Sequence, residues 1–156
     1  ILIGEDMGTQ SGLLFSPAMW QEYFARMYRE LFALAHEFGM KVLMHSCGNN
    51  REILPHLLQA GVDCFQFDQP AIYDMPWLAR LLREHKAALW SPVDIQKILP
   101  TGDRQRIAEG AREMCRIFRG GLIAKNYPDL AGIGVKEEWD QWAYEEFLRD
   151  CGLVDG

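Results

Sequence analysis

Lys41-Val-Leu-Met-His-Ser-Cys-Gly48 reads as a short buried strand, Lys41 to Met44, that runs straight into a polar end, His45-Ser46-Cys47-Gly48. Side chains two apart in an extended segment share a face. The His45 imidazole and the Cys47 thiol therefore leave one strand end side by side. A nitrogen and a sulfur donor in that arrangement are a candidate pair of metal ligands, and zinc accepts both.

Working outward, the same unit repeats. Ile1 to Glu5 is a short apolar strand that ends at Asp6, and the loop Met7-Gly-Thr-Gln-Ser-Gly12 follows. Ser16 suits the N-cap and Pro17 the first position of a long helix, with apolar residues at Trp20, Phe24, Met27, Leu31, Leu34 and Phe38 and a stop at Gly39. A second helix is predicted from about Asn50 to Ala60 and a third strand over Val62 to Phe67. Then come a helix over Met75 to Glu84, a strand over Ala87 to Trp90, and a helix over Asp103 to Phe118 capped by Thr101 or Asp103. A strand over Gly121 to Ala124 and a last helix over Lys136 to Leu148 complete the series. Strand–helix alternation, five times over, implies a parallel sheet with right-handed crossovers. Polar residues gather at every strand end rather than at one switch point, and no glycine-rich dinucleotide loop follows the first strand. The expected fold is therefore α/β, the C-terminal portion of a (β/α)8 barrel, about five strand–helix units out of eight. Because the chain starts at Ile1 inside a strand, residues 1–156 are expected to be a single barrel domain that is an N-terminally truncated fragment.

Composition narrows the classes. A net charge of −6 with no basic cluster argues against nucleic acid as a partner. No apolar run approaches the roughly 20 residues of a membrane span, and the start lacks the basic region of a signal peptide. The four cysteines are scattered, which points to a reducing, cytoplasmic setting.

The order Asp6-x-Gly-x-Gln10-x-Gly12, Ser16-Pro17, His45-x-Cys47-Gly48, Leu54-Pro-x-Leu-x-x-Ala-Gly-Val-Asp63 and Gly120-Gly121 resembles the C-terminal part of the uroporphyrinogen decarboxylase superfamily. The resemblance implies one of two chemistries. One is metal-free decarboxylation of uroporphyrinogen side chains; the other is zinc-dependent methyl transfer from a corrinoid protein to a thiol such as coenzyme M. The decarboxylases carry Asn-Leu-Gly-His-Gly after the last barrel strand, where this chain reads Ala124-Lys-Asn-Tyr-Pro128, and Gln-Gly-Asn-x-Asp-Pro where it reads Trp90-Ser-Pro-Val-Asp94. With the His-x-Cys pair, these departures favour the methyltransferase branch. Those methyltransferases also place a zinc-ligating cysteine near the last strand, and Gly121 to Asn126 contains none.

The expected metal ligands are His45 and Cys47, with zinc as cofactor and a corrinoid carried by a partner protein. The third ligand is open among Cys64, Glu5, Asp6 and Asp68, with a carboxylate preferred because Cys64 lies mid-strand. Asp6, Gln10, Gln66, Asp68, Asp94, Lys125 and Tyr127 are candidate substrate contacts. Turn formation is the plainer reading of Asp6, and helix capping that of Asp94. His36, His56 and His85 are expected at the surface, Cys115 in the core, and the aromatic set Trp20, Tyr23, Phe24 and Tyr28 against the sheet. The rival readings are decarboxylation of a tetrapyrrole or other small carboxylate, and a partial-barrel module that binds zinc or a tetrapyrrole without turnover. Two open sheet edges would suit a homodimer.

Overall fold

A computed structural model describes residues 1–153 of the chain. Among them, five parallel strands, β1 (Leu2–Gly4), β2 (Leu43–His45), β3 (Cys64–Gln66), β4 (Ala88–Ser91) and β5 (Leu122–Ala124), pair in the order of the sequence. Sequential pairing with a helical crossover after each strand is barrel order, and the five units are consecutive members of such a barrel. The crossover helices are α1 (Pro17–Tyr23) and α2 (Ala25–Glu37), α3 (Leu54–Ala60), α4 (Met75–Glu84) and α5 (Arg104–Ile117), and α6 (Glu137–Asp150) follows β5.

Local chemistry accounts for most boundaries. Ser16, Asp74 and Asp103 accept backbone N–H groups at the starts of α1, α4 and α5. The long helix predicted after Ser16-Pro17 is two: the chain bends at Phe24, where φ widens to −116°, and Trp20 and Tyr28 stack across the bend with centroids 6.0 Å apart. The helix predicted from Asn50 starts only at Leu54, with Pro55 in its first turn, because residues 50–53 form a turn that closes the loop after β2.

The core lies between the helices and the outward face of the sheet. Met44, Phe65 and Leu89 are fully buried there, with Phe32, Leu54, Leu57 and Leu78 packed over them. A second cluster joins Val93, Leu99 and Ile107 to α6 through Ala143 and Phe147. Cys64 and Cys115 are buried, as core residues should be.

Two surface expectations are corrected. Tyr23 and Phe24, expected against the sheet, are exposed, and so are Met27, Leu31, Leu34 and Phe38 of the helical stripe, from 38% at Phe24 to 71% at Phe38. The sheet reaches only one side of α2, and Tyr28, Phe32 and Ala35 take it. His56 is half-buried rather than exposed, stacked on the Trp20 ring with centroids 6.1 Å apart. At the amino end of the sheet, Asp63 accepts from Lys41 Nζ (2.9 Å), Val42 N–H (2.8 Å) and His36 (2.7 Å), tying α2, β2 and β3 together. No helix among the described residues is long and apolar enough to cross a membrane.

Candidate metal centre

The parallel register sets the site. Gly4, His45, Gln66 and Trp90 are successive partners across β1 to β4, and Trp90 is in turn partnered with Ile123. Two residues further along, Asp6, Cys47, Asp68 and Lys125 stand at matching positions beyond their strand ends. Alternation therefore stacks His45 and Gln66 in one layer and Asp6, Cys47, Asp68 and Lys125 in the next, at the carboxyl end of the sheet, where barrel folds carry their chemistry.

At the first two strand ends, Cys47 Sγ lies 3.4 Å from His45 Nε2, and His45 Nε2 lies 3.6 Å from Asp6 Oδ1. The three ligand atoms are all within 4.8 Å of one another. Zinc bonds of roughly 2.0–2.3 Å at tetrahedral angles separate ligand atoms by about 3.3–3.8 Å. The nitrogen, sulfur and carboxylate oxygen thus match zinc in donor type, and the two distances from His45 Nε2 fall in that range. Of the four candidates for a third ligand, Asp6 is the one whose carboxylate comes within reach. It is aimed by the Cys47 backbone N–H, which donates to Oδ1 at 2.9 Å.

Burial, followed by the negative charge of Asp6 and Asp68, pushes the Cys47 thiol up to about 11. Left alone, the thiol keeps its proton at neutral pH; a cation between these groups is what would favour the thiolate.

The other predicted residues fall in three places. Gln66 Oε1 lies 2.5 Å from His45 Nδ1, Gln66 Nε2 donates to Asp68 Oδ1 at 2.7 Å, and Lys125 Nζ donates to the same oxygen at 3.0 Å. Lys125 sits against the Trp90 and Tyr127 rings, 5.3 and 6.0 Å from their centroids. Burial and the nearby Asp68 push the Tyr127 phenol above its ordinary value. Gln10 is exposed at the mouth and donates to Gln69 Oε1 at 2.8 Å. Asp94 is apart from this cluster: it is 1% exposed and accepts the N–H groups of Ala71, Gln96 and Lys97, which makes it a cap.

Sequence reasoning missed the residues that hold the two loops together. Asn50 is fully buried and its amide donates to the carbonyls of Ser46, Cys47 and Gly48 at 3.4, 3.0 and 3.2 Å. The Tyr73 hydroxyl donates to Gly48 O at 2.9 Å, and Met7 N–H donates to Ser46 Oγ at 3.1 Å. Gly48 has φ +80° and lies so close to the 8–9 backbone that a Cβ would stand 2.3 Å from Gly8 O. The signal available was the pair of glycines, Gly8 and Gly48, each just past a strand end.

A small cleft lined by Cys47, Asp68, Gln69 and Tyr73 adjoins the cluster. The larger cavity, about 610 Å³, is at the other end of the sheet, among Leu43, Cys64, Ala88 and Ile123 with Arg83 and Lys86. None of the polar cluster lines it, and the chemistry argues for the carboxyl end.

Comparison with known proteins adds the following. The family model described as Uroporphyrinogen decarboxylase (URO-D) matches residues 2–125. A methylated-thiol–coenzyme M methyltransferase of Methanosarcina mazei is 26% identical over 103 residues, covering 66% of this chain and 26% of that protein. A solved methyltransferase from Methanosarcina mazei superposes with a TM-score of 0.71 at 15% identity, over 96% of this chain and 41% of that one. The chain thus spans well under half the length of each.

Proposed function

The chain belongs to the uroporphyrinogen decarboxylase family, and from that premise we propose that it takes part in zinc-dependent methyl transfer from a methylated corrinoid to a small thiol. The observation that carries the reading is the Asp6–His45–Cys47 cluster, three zinc-type donors from two strand ends within 4.8 Å of one another. It is supported by the thiol chemistry in the name of the Methanosarcina mazei relative.

In this reading His45, Cys47 and Asp6 would hold the metal beside the incoming acceptor. Bound there, zinc supplies positive charge that keeps a thiol deprotonated and nucleophilic near neutral pH. Asp6 is the exposed member of the three and faces the mouth, where an incoming thiol would arrive. Lys125 and Tyr127 stand on the same rim and suit an anionic group on that substrate. The corrinoid would be presented by a partner protein at the carboxyl face. The five units would work as part of a longer barrel, a view supported by the exposed apolar stripe of α2 and by the 41% coverage of the superposed structure.

The test is metal analysis with a methyl-transfer assay. Protein purified with zinc should hold close to one ion per chain, and the His45→Ala, Cys47→Ala double variant should lose it. The loaded protein, with its corrinoid partner, should methylate coenzyme M. Protein that stays metal-free in excess zinc would overturn the reading. Metal-free release of carbon dioxide from a tetrapyrrole carboxylate would replace it with decarboxylation.

A further inference from the structure

We propose that Lys125, Asp68 and Gln66 form a chain of hydrogen bonds of fixed polarity that locks His45 as its Nδ1–H tautomer, leaving the Nε2 lone pair aimed at Cys47 and Asp6. Gln66 is then a positioning residue. Its value to a metal rests on the reading of Asp6, His45 and Cys47 as ligands; the tautomer itself does not.

The polarity follows from the donor and acceptor inventory. The Lys125 ammonium can only donate, and it donates to Asp68 Oδ1 at 3.0 Å with both side chains 15% exposed or less. Asp68, paired in this way, offers acceptors. The Gln66 amide therefore has to turn its NH2 group toward Asp68, 2.7 Å away. The amide is planar and its other end must then be the carbonyl oxygen. That oxygen faces His45 Nδ1, so the imidazole proton belongs on Nδ1. Nε2 is left bare, 3.4 Å from Cys47 Sγ and 3.6 Å from Asp6 Oδ1.

The frame that holds this chain is rigid. His45 and Gln66 are register partners on adjacent strands, and Gln66 and Asp68 are two apart on one strand face. Gln66 is 6% exposed, so water does not offer its amide a competing partner. The Trp90 and Tyr127 rings beside the Lys125 ammonium confine the far end. A relay that fixes the ligating nitrogen from the opposite side of the ring is the usual companion of a metal-bound histidine. The relay is built from protein side chains alone and uses none of the three donor atoms, so it can orient the ring independently of an ion.

The test reads the tautomer directly. Two-bond proton–nitrogen correlation spectra of the His45 ring would be recorded on intact, metal-free protein at about pH 8, where an ordinary imidazole is neutral. The wild-type ring should be the Nδ1–H form. Gln66→Leu removes the acceptor and should release the ring to a mixture. Gln66→Glu, whose carboxylate still accepts, should restore the Nδ1–H form. Asp68→Asn frees the Gln66 amide to turn over and should also give a mixture. Cobalt or zinc competition titrations should show affinity about 10- to 100-fold weaker for Gln66→Leu, with recovery toward wild type in Gln66→Glu. An Nε2–H ring in the unmutated protein overturns the proposal whatever the variants do. So does a tautomer that ignores both Gln66→Leu and Asp68→Asn. An Nδ1–H ring in a protein that binds no metal upholds the relay and removes the metal reading instead.

Discussion

Replacing Gly48 with alanine should break the candidate centre without touching a ligand. Gly48 has φ +80°, a region that costs a residue with a Cβ about 1–2 kcal/mol. The added Cβ would also stand 2.3 Å from Gly8 O, 2.4 Å from Gly8 C and 2.8 Å from Thr9 O. These are backbone atoms, so no side chain can swing aside. Ordinary contact requires the 8–9 segment to retreat by about 1 Å, and overpacking of this kind costs about 1–3 kcal/mol. The expected total is about 2–5 kcal/mol. The retreat also carries Asp6 away from Cys47, because Gly8 is two residues beyond Asp6 and Thr9 O accepts the Asn49 N–H. Metal sites tolerate errors of only about 0.2 Å, so zinc affinity should fall at least about tenfold. Gly39 supplies the control: its φ is +69°, yet an added Cβ meets nothing within 4 Å. Gly39→Ala should lose only the strain and leave zinc affinity alone. Chelator competition and thermal unfolding on both variants make the comparison. If Gly48→Ala binds zinc as tightly as wild type, the contact between the two loops does not organise the site.

Two further outcomes are expected. Asn50→Ala leaves the buried carbonyls of Ser46, Cys47 and Gly48 without their shared donor and should destabilise by about 1–3 kcal/mol, read as a lower urea midpoint; an unchanged midpoint would show that these carbonyls find other partners. Asp63 should contribute to acid sensitivity. Burial alone would raise its carboxyl, but Lys41, the Val42 amide and His36 outweigh that and hold it below its ordinary value of 3.8. A depressed acid stabilises the fold above its unfolded value and loses that contribution as pH falls through the folded one, so the window lies below about pH 4. The stability difference between wild type and Asp63→Asn should be constant above that window and shrink within it; a difference that does not vary with pH would assign the effect to packing.

Positions that read differently from sequence are those whose surroundings the local pattern does not specify. The stripe Phe24, Met27, Leu31, Leu34 and Phe38 has helical period, but periodicity does not say which of two apolar faces a sheet will take. The Asn50 start was misread because Asn50 serves the preceding loop with its side chain instead of beginning a helix. Asp94, for which capping is the plainer reading of the sequence, accepts three backbone N–H groups, a pattern that agrees with that reading.

The sequence by itself determined the strand–helix repeat, the parallel sheet and the pairing of His45 with Cys47, because each depends on spacing within one segment. The family followed from motif order along the chain. The meeting of Asp6 with Cys47, 41 positions apart, was decided by tertiary structure alone. So were the contact of Gly8 with Gly48 and the chain from Lys125 through Asp68 and Gln66 to His45. Those depend on the register between strands, which is set by how the helices pack behind the sheet and is written in no single segment.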